Sequence, residues 1–241
     1  MNKFLVIIPT FNEAENISNL IIEIRNLDVE VLVIDDNSPD KTYEVVQKII
    51  DKDTGVYLLK RSSKMGLGSA YRKGFEWFLE RDYTHCVEMD ADFSHRIIDL
   101  KKLMDETKNY DLIIGSRYVD NGGSIGWDFK RKKISIYANK VAKIILKTNI
   151  KDTTSGFRVF SRNALKVIDF QKVKTNGYGF QIEMAYLSFI NDLTIKEVPI
   201  IFEERRMGQS KMSSKIIFEA LFLLFKISIN KSCYKKEFYK N

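Results

Sequence analysis

Asp90-Ala91-Asp92 closes the strand-like stretch His85-Cys86-Val87-Glu88-Met89, with Ser94 and His95 just beyond it. Side chains at i and i+2 of an extended segment point the same way, so if the chain stays extended through Asp90-Ala91-Asp92 the two carboxylates converge and repel. A cation between them, or protonation of one, relieves that repulsion. Asp-x-Asp at a strand end suits Mg2+ or Mn2+, which take one or two carboxylates, keep waters and accept the remaining oxygens from a diphosphate. The competing reading is an acidic surface loop, and the two aspartates alone do not separate the two. His95 is one of only two histidines; it reads as a metal ligand or base, or equally as a packed or solvated loop residue. His85 takes no chemical part.

Other charged groups follow the same logic. Asp35-Asp36 also ends an apolar run. One carboxylate caps the turn at Ser38-Pro39, and the other is placed to hydrogen-bond a base or ribose. Lys130-Arg131-Lys132-Lys133 follows Trp127 and Phe129 at a helix start, where cations oppose the helix dipole, so a functional reading is favoured. Arg205-Arg206-Met207-Gly208-Gln209-Ser210-Lys211 is a second cationic loop with a glycine for close approach. With Arg117, these groups can clamp phosphates, arginine giving two-pronged contacts.

Several chemistries are excluded. No Gly-x-Ser-x-Gly elbow is present for a serine hydrolase, and two histidines cannot build a histidine-rich zinc site. A dinucleotide fold needs its glycine fingerprint after the first strand, where Pro9-Thr10-Phe11-Asn12-Glu13 stands instead. Gly66-Leu67-Gly68 lacks the third glycine.

The elements that position these groups are legible as apolar patterns. The continuous apolar run at residues 4–8 reads as a strand buried on both faces, and residues 29–34, 56–59, 83–89 and 112–114 read as further strands. Between them lie helical stripes: Ile17, Leu20, Ile21 and Ile24 behind an Asn12/Glu15 capping box, then residues 45–50, 67–79 and 97–104. Alternation of this kind implies right-handed crossovers and an α/β, Rossmann-like, largely parallel sheet with helices on both faces. After Gly115 the regularity fades into a Gly-rich loop at 120–124, a helix at 134–146 and a mixed second half that includes 194–202. Ligands bind beyond the carboxyl ends of such strands. Four strand ends deliver Pro9 to Glu13, Asp35-Asp36, Asp90-Ala91-Asp92 and Gly115-Ser116-Arg117 to one edge, and that coincidence moves the Asp-x-Asp reading toward a metal.

The bulk numbers agree. The chain has 241 residues, 44% of them hydrophobic, enough for a sizeable core. Its net charge of +7 suits an anionic partner, but an acidic edge repels nucleic acid. Cys86 and Cys233 build no disulfide framework, so a reduced, cytosolic setting is expected. The N-terminus runs directly into a strand without a signal peptide, and no apolar stretch reaches the ~20 residues of a spanning helix. Residues 215–229 are apolar nearly all round with lysines at their margins. They read as a helix docked on the core, or as one lying in a membrane interface. The expected division is a catalytic domain at 1–212 and a C-terminal amphipathic helix with a basic tail at 213–241, binding membrane or partner.

The order Ile8-Pro9-Thr10-Phe11-Asn12-Glu13, Asp35-Asp36-Asn37-Ser38-Pro39-Asp40, Asp90-Ala91-Asp92-Phe93-Ser94-His95 and Gly115-Ser116-Arg117-Tyr118 resembles the inverting family-2 glycosyltransferases. Trp127 to Lys132, Thr154-Ser155-Gly156-Phe157-Arg158 and Phe180-Gln181-Ile182-Glu183-Met184 narrow it to the branch that mannosylates dolichyl and other polyprenyl phosphates. The resemblance implies a GT-A fold and transfer of mannose from GDP-mannose to a polyprenyl phosphate. Pro9, Phe11, Glu13 and Asp36 would hold the nucleoside, with Ala91 beside it. Asp90 and Asp92 would hold the Mg2+ or Mn2+ on the diphosphate, with Ser94 as third contact. Arg117 and Arg131 would face the donor and acceptor phosphates, Ser124 would join Arg131 on the lipid phosphate, and Arg205 and Lys211 would close over the donor. Asp92, Arg117 and Arg131 are the expected catalytic groups. Many relatives carry membrane spans; this chain resembles those that sit on the cytoplasmic face of a membrane, endoplasmic reticulum or cell membrane, some with small membrane-anchoring subunits. A UDP-glucose donor, a nucleotidyltransferase and a non-catalytic membrane scaffold are the alternatives. A hydroxyl acceptor would need a general base such as Glu183.

Overall fold

The computed structural model describes residues 2–204 and 214–229, together with Tyr234 and Phe238. Strands and helices alternate through β1 (Phe4–Thr10), α1 (Ile17–Arg25), β2 (Glu30–Asp35), α2 (Thr42–Ile50), β3 (Val56–Lys60), α3 (Leu67–Leu79), β4 (His85–Glu88), α4 (Ile97–Asp105) and β5 (Leu112–Ser116). The short strand β6 (Gly123–Ile125) and helix α5 (Phe129–Leu146) follow. Then come β7 (Arg158–Ser161), α6 (Arg162–Val167), α7 (Gly177–Ile190), β8 (Ile195–Pro199), β9 (Ile201–Glu203) and α8 (Ser214–Ile229). Seven strands form one sheet in the order β3-β2-β1-β4-β7-β5-β8, and β6 pairs with β9 in a separate ribbon.

All neighbours in the large sheet are parallel except around β7, which runs antiparallel to both β4 and β5. The carboxyl ends of β1, β2, β4 and β5 therefore share one edge, and β7 begins there. Alternating side chains split the core into two layers. Leu5, Ile7, Leu32 and Ile34 face Tyr71, Phe75 and Phe180, while Val6, Ile8, Val31 and Val33 face Ile17, Leu20 and Leu100.

Helix α8 belongs to the first layer. Leu223, Leu224 and Ile227 are buried in the same cluster as Ala142, Leu146 and Tyr186, and Tyr234 and Phe238 join them. Three such side chains contribute about 4–9 kcal/mol by burial alone, ample to seat the helix. Its other face leaves Phe222, Phe225 and Ile229 more than 60% exposed. Core docking and an outward apolar face are two sides of one helix. Among the described residues no helix is long and apolar enough to cross a membrane.

The Asn12/Glu15 capping box does not form. Asn12 takes φ 62° and its N–H donates to Ser38 Oγ at 3.1 Å, while Asn16 occupies the cap position without a side-chain cap bond. Contact with the β2–α2 turn outcompetes the local motif. Helix α5 begins a turn earlier than its apolar pattern, because Asp128 caps it by accepting from Arg131 N at 2.9 Å.

Candidate active site

The two aspartates after β2 divide their work. Asp35 is fully buried and caps the turn: its Oδ2 accepts from Thr10 Oγ1 at 2.9 Å and Ser38 Oγ at 2.5 Å, and its Oδ1 from Ser38 N at 3.0 Å. Asp36 instead pairs with Arg61 and accepts from Met65 N at 3.0 Å and Gly66 N at 3.3 Å. Arg61 also donates to Ser69 Oγ at 2.9 Å and Gly66 O at 3.2 Å, which locks the β3–α3 loop to the β2 end. On the same loop, Lys64 Nζ lies 3.9 Å from the centre of the Phe11 ring. Gly66 and Gly68 let this loop close on the chain before α7. Gly66 takes φ +90°, and a Cβ at Gly68 would meet the Thr175 carbonyl oxygen at 2.5 Å. Nearby, Glu13 N donates to Thr42 Oγ1 at 3.0 Å, and Glu13 Oε2 accepts from Asn16 Nδ2 at 3.1 Å.

Beyond β4 the chain turns at Phe93, φ 60°, so that Ser94 N donates to Asp92 Oδ1 at 3.1 Å. The Asp90 side chain is 35% exposed, whereas Ala91, Asp92 and Ser94 are buried. Ser94 Oγ is buried with no hydrogen-bond partner among the described residues. His95 is packed beneath the loop: its Nδ1 accepts from Asp90 N at 3.1 Å, and its ring stacks on Phe157 at 4.5 Å. Burial pushes its pKa down to about 4, which suits the acceptor role of Nδ1. His95 thus shapes the loop that presents the acidic pair.

Below that loop lies a polar floor. Glu88 and Arg158 are direct cross-strand partners, both fully buried. Arg158 donates to Gln181 O at 2.7 Å and Thr153 O at 2.8 Å, tying α7 and the 152–156 loop to the sheet. Burial pushes Glu88 up to about 7 and Arg158 down to about 10. The Gln181 amide lies near enough to favour the charged Glu88. No atom of it makes a well-formed hydrogen bond, and Tyr71 Oη, both Glu88 oxygens and Arg158 Nε are likewise buried without partners among the described residues.

Arg117, after β5, is 7% exposed and held by Asp152. Its Nε reaches Asp152 Oδ2 at 2.8 Å, its Nη2 reaches Oδ1 at 2.7 Å, and Nη2 also meets Thr154 Oγ1 at 2.8 Å. Burial opposes its charge, and Asp152 more than offsets that, holding the guanidinium above its ordinary pKa. Trp127 joins the two candidate cations: Arg117 lies 5.3 Å and Arg131 4.3 Å from its ring. Arg131 Nη1 also binds Glu204 at 3.0 Å. Trp127 Nε1 and Arg131 Nε are buried N–H donors without a partner among the described residues. Ser124 sits half-buried on β6, in register with Phe202 of β9. Arg205 and Lys211 lie outside the described residues.

The acidic pair, Pro9, Phe11, Asp36, Arg117 and Arg131 thus belong to the strand-end side of the sheet and the adjoining β6–α5 segment. Glu183 does not serve it as a free base: its carboxylate accepts from Thr175 Oγ1 at 2.6 Å and from Tyr234 Oη. The sequence pattern assigned no role to Asp152, Arg61, Asn139 or Arg158, although Arg158 stands in the Thr154 to Arg158 motif. Two carboxylates with a neutral hydroxyl fit a hard divalent ion that completes its sphere from a diphosphate and water. A cage of three or more His, Cys, Asp or Glu side chains is absent among the described residues.

A mixed, mostly parallel sheet with an acidic pair just beyond its central strand places the chain among glycosyltransferases of the GT-A fold. The profile of glycosyl transferase family 2 matches residues 5–169, and the chain belongs to that family. It is 41% identical over 221 residues to an undecaprenyl-phosphate mannosyltransferase of Micrococcus luteus, covering 91% of each chain. It is 42% identical over 222 residues to a polyprenol monophosphomannose synthase of Mycolicibacterium smegmatis, covering 90% of this chain and 84% of the relative. Among solved structures it matches glucosyl-3-phosphoglycerate synthase from Mycobacterium tuberculosis in complex with Mn2+ and uridine-diphosphate-glucose. The TM-score is 0.67 at 17% identity, over 96% of this chain and 79% of that one.

Proposed function

We propose that this enzyme transfers mannose from GDP-mannose to a polyprenyl phosphate, with inversion and with Mg2+ or Mn2+. The observation that carries the reading is the near-full-length similarity to two polyprenyl-phosphate mannosyl enzymes. The site suits the chemistry. Asp90, Asp92 and Ser94 would hold the divalent ion, which supplies charge neutralisation to the departing nucleoside diphosphate. Pro9, Phe11, Glu13 and Asp36 border the nucleoside, with Ala91 beside it. Arg117, supported by Asp152, stabilises charge as it develops on the phosphates. Trp127 Nε1 and Arg131 Nε, buried N–H donors without a partner among the described residues, would serve an oxygen of the acceptor phosphate, with Ser124 close by in sequence. Arg205 and Lys211 are proposed to close over the donor.

A phosphate monoester is already anionic near neutral pH, so its oxygen attacks the anomeric carbon with no general base. The bond from that carbon to the leaving diphosphate breaks in the same displacement, and GDP departs. Scarcity of histidine is no obstacle to this reaction. The acceptor is a lipid, and the chain is expected to work as a peripheral protein on the cytoplasmic face of a membrane, alone or with small anchoring subunits.

Asp92→Asn is expected to melt with the parent and to lose transfer; full turnover by the folded variant rules out the assignment. EDTA abolishes activity and Mn2+ or Mg2+ restores it. A thermal-shift comparison of GDP, UDP and CDP sugars checks the donor, and a preference for UDP-glucose overturns that part of the reading.

A further inference from the structure

Helix α5 has two faces with different duties. At about 100° per residue, Phe129, Lys133, Tyr137, Lys140 and Ile144 fall in one stripe about 80° wide, and Lys147 caps the helix just beyond it. All six are exposed, Phe129, Tyr137 and Ile144 at 72%, 70% and 75%. Large apolar groups alternating with lysines along an outward stripe suit the interface of an anionic bilayer, rings and aliphatic chains entering the acyl boundary while ammonium groups meet the headgroups. A soluble partner groove would not call for a cation at every second position. The neighbouring helix α8 likewise leaves Phe222, Phe225, Lys226 and Ile229 exposed.

The opposite side of α5 is bolted to the catalytic edge. Asn139 is buried, and its Nδ2 donates to Ser135 O at 3.1 Å and Thr154 Oγ1 at 3.0 Å. Its Oδ1 accepts from Thr153 N at 2.8 Å and Thr153 Oγ1 at 2.9 Å. Thr154 Oγ1 is the same atom that receives Arg117 Nη2. One turn earlier on α5, Ser135 Oγ accepts from Tyr118 Oη, the residue after Arg117, at 2.6 Å. A shift of α5 therefore has a short, fully hydrogen-bonded route to Arg117.

We propose that α5 couples docking of the enzyme on an anionic lipid surface to the placement of Arg117, with Asn139 as the positioning residue. The coupling rests on the mannosyl-transfer reading for its activity readout, but lipid docking and the state of Trp127 can be followed without it.

The test uses the full chain, a short-chain water-soluble prenyl phosphate and acceptor-free vesicles of phosphatidylcholine and phosphatidylglycerol. The parent is expected to sediment with the vesicles and to turn over at least fivefold faster on them. Ile144→Glu loses both sedimentation and the rise. Asn139→Leu sediments like the parent, and its rate does not rise; Thr154→Val, which cuts the same link from its other end, behaves alike and covers a failure of the first variant to fold. In a Trp77→Phe background Trp127 is the sole tryptophan. Its emission shifts on vesicles in the parent and not with Asn139→Leu. Vesicle binding that leaves the parent rate and Trp127 emission unchanged overturns the proposal, as does a parent-like rise in Asn139→Leu. Undiminished sedimentation of Ile144→Glu does the same. Absence of transfer under every condition, with the emission shift intact, overturns the reaction and leaves the coupling standing.

Discussion

Replacing Asp152 by Asn keeps the shape of a fully buried side chain and removes its charge. Asp152 accepts from Arg117 N, Nε and Nη2 and from Thr154 Oγ1, at 2.7–3.2 Å. The amide can keep one oxygen toward Arg117, but its NH2 group then faces the donors that met the second oxygen. Arg117 stays charged and buried with its counter-ion gone. Breaking such a pair from one side costs about 3–5 kcal/mol. At about 2–4 °C per kcal/mol for a chain of this size, melting should fall by about 6–20 °C at pH 7. The sign with pH is fixed: burial works to raise the Asp152 pKa, Arg117 lowers it more, and the net shift is downward. The pair's contribution is therefore complete above the unfolded carboxyl pKa of about 4 and is lost as pH falls through the lower folded value. Calorimetry of parent and variant from pH 7 to pH 3 should show their gap closing in acid. The double variant Arg117→Leu/Asp152→Leu should lose less stability than the two single replacements summed, the mark of direct coupling. A variant melting within about 2 °C of the parent at pH 7, or a gap that ignores pH, refutes the reasoning.

Three further outcomes are expected. Arg61→Met leaves Asp36 without its cation and frees the β3–α3 loop; nucleotide affinity by calorimetry should fall at least tenfold, and unchanged affinity removes Arg61 from the site's support. Glu88 carries a folded pKa raised to about 7, so its contribution is complete below the unfolded value of about 4.3 and is lost as pH rises through 7. Parent stability should decline between pH 5 and pH 8 while Glu88→Gln stays flat, and equal slopes contradict the burial argument. Glu183→Gln should retain transfer but melt lower, because that carboxylate holds Thr175 and Tyr234; loss of transfer at unchanged stability would make Glu183 a base after all.

The first half of the fold was legible because its strands are short and apolar-rich, β1 and β5 opening on unbroken apolar runs, and its helices carry clear apolar stripes. Leu67–Leu79 starts and ends where its pattern does, and the four strand ends converge as their order implies. The second half was harder for identifiable reasons. Strand β7, Arg-Val-Phe-Ser, is four residues long and begins with a buried arginine, so no apolar count detects it. Local spacing suggested a cap at Asn12, but a tertiary hydrogen bond to Ser38 decides its conformation. The candidate metal carboxylates stood out as an Asp-x-Asp pair just beyond one strand. Asp152 and Asn139 did not, since they serve Arg117 across 35 residues of sequence and through Thr154, respectively.

The placement of β7 has a consequence for how the chain reaches its working state. Until residues 158–161 arrive, β4 and β5 have no common neighbour, and each presents an open row of backbone donors and acceptors. The middle of the sheet is thus filled late in synthesis by a strand that brings Arg158 and follows the loop carrying Asp152. A ribosome-released fragment ending near residue 150 would hold the acidic pair but neither the arginine brace nor a closed sheet. Such a fragment should aggregate or be degraded rather than persist as a half-formed, nucleotide-binding subdomain. Assembly of the barrier-lowering groups and completion of the scaffold are therefore one cooperative event.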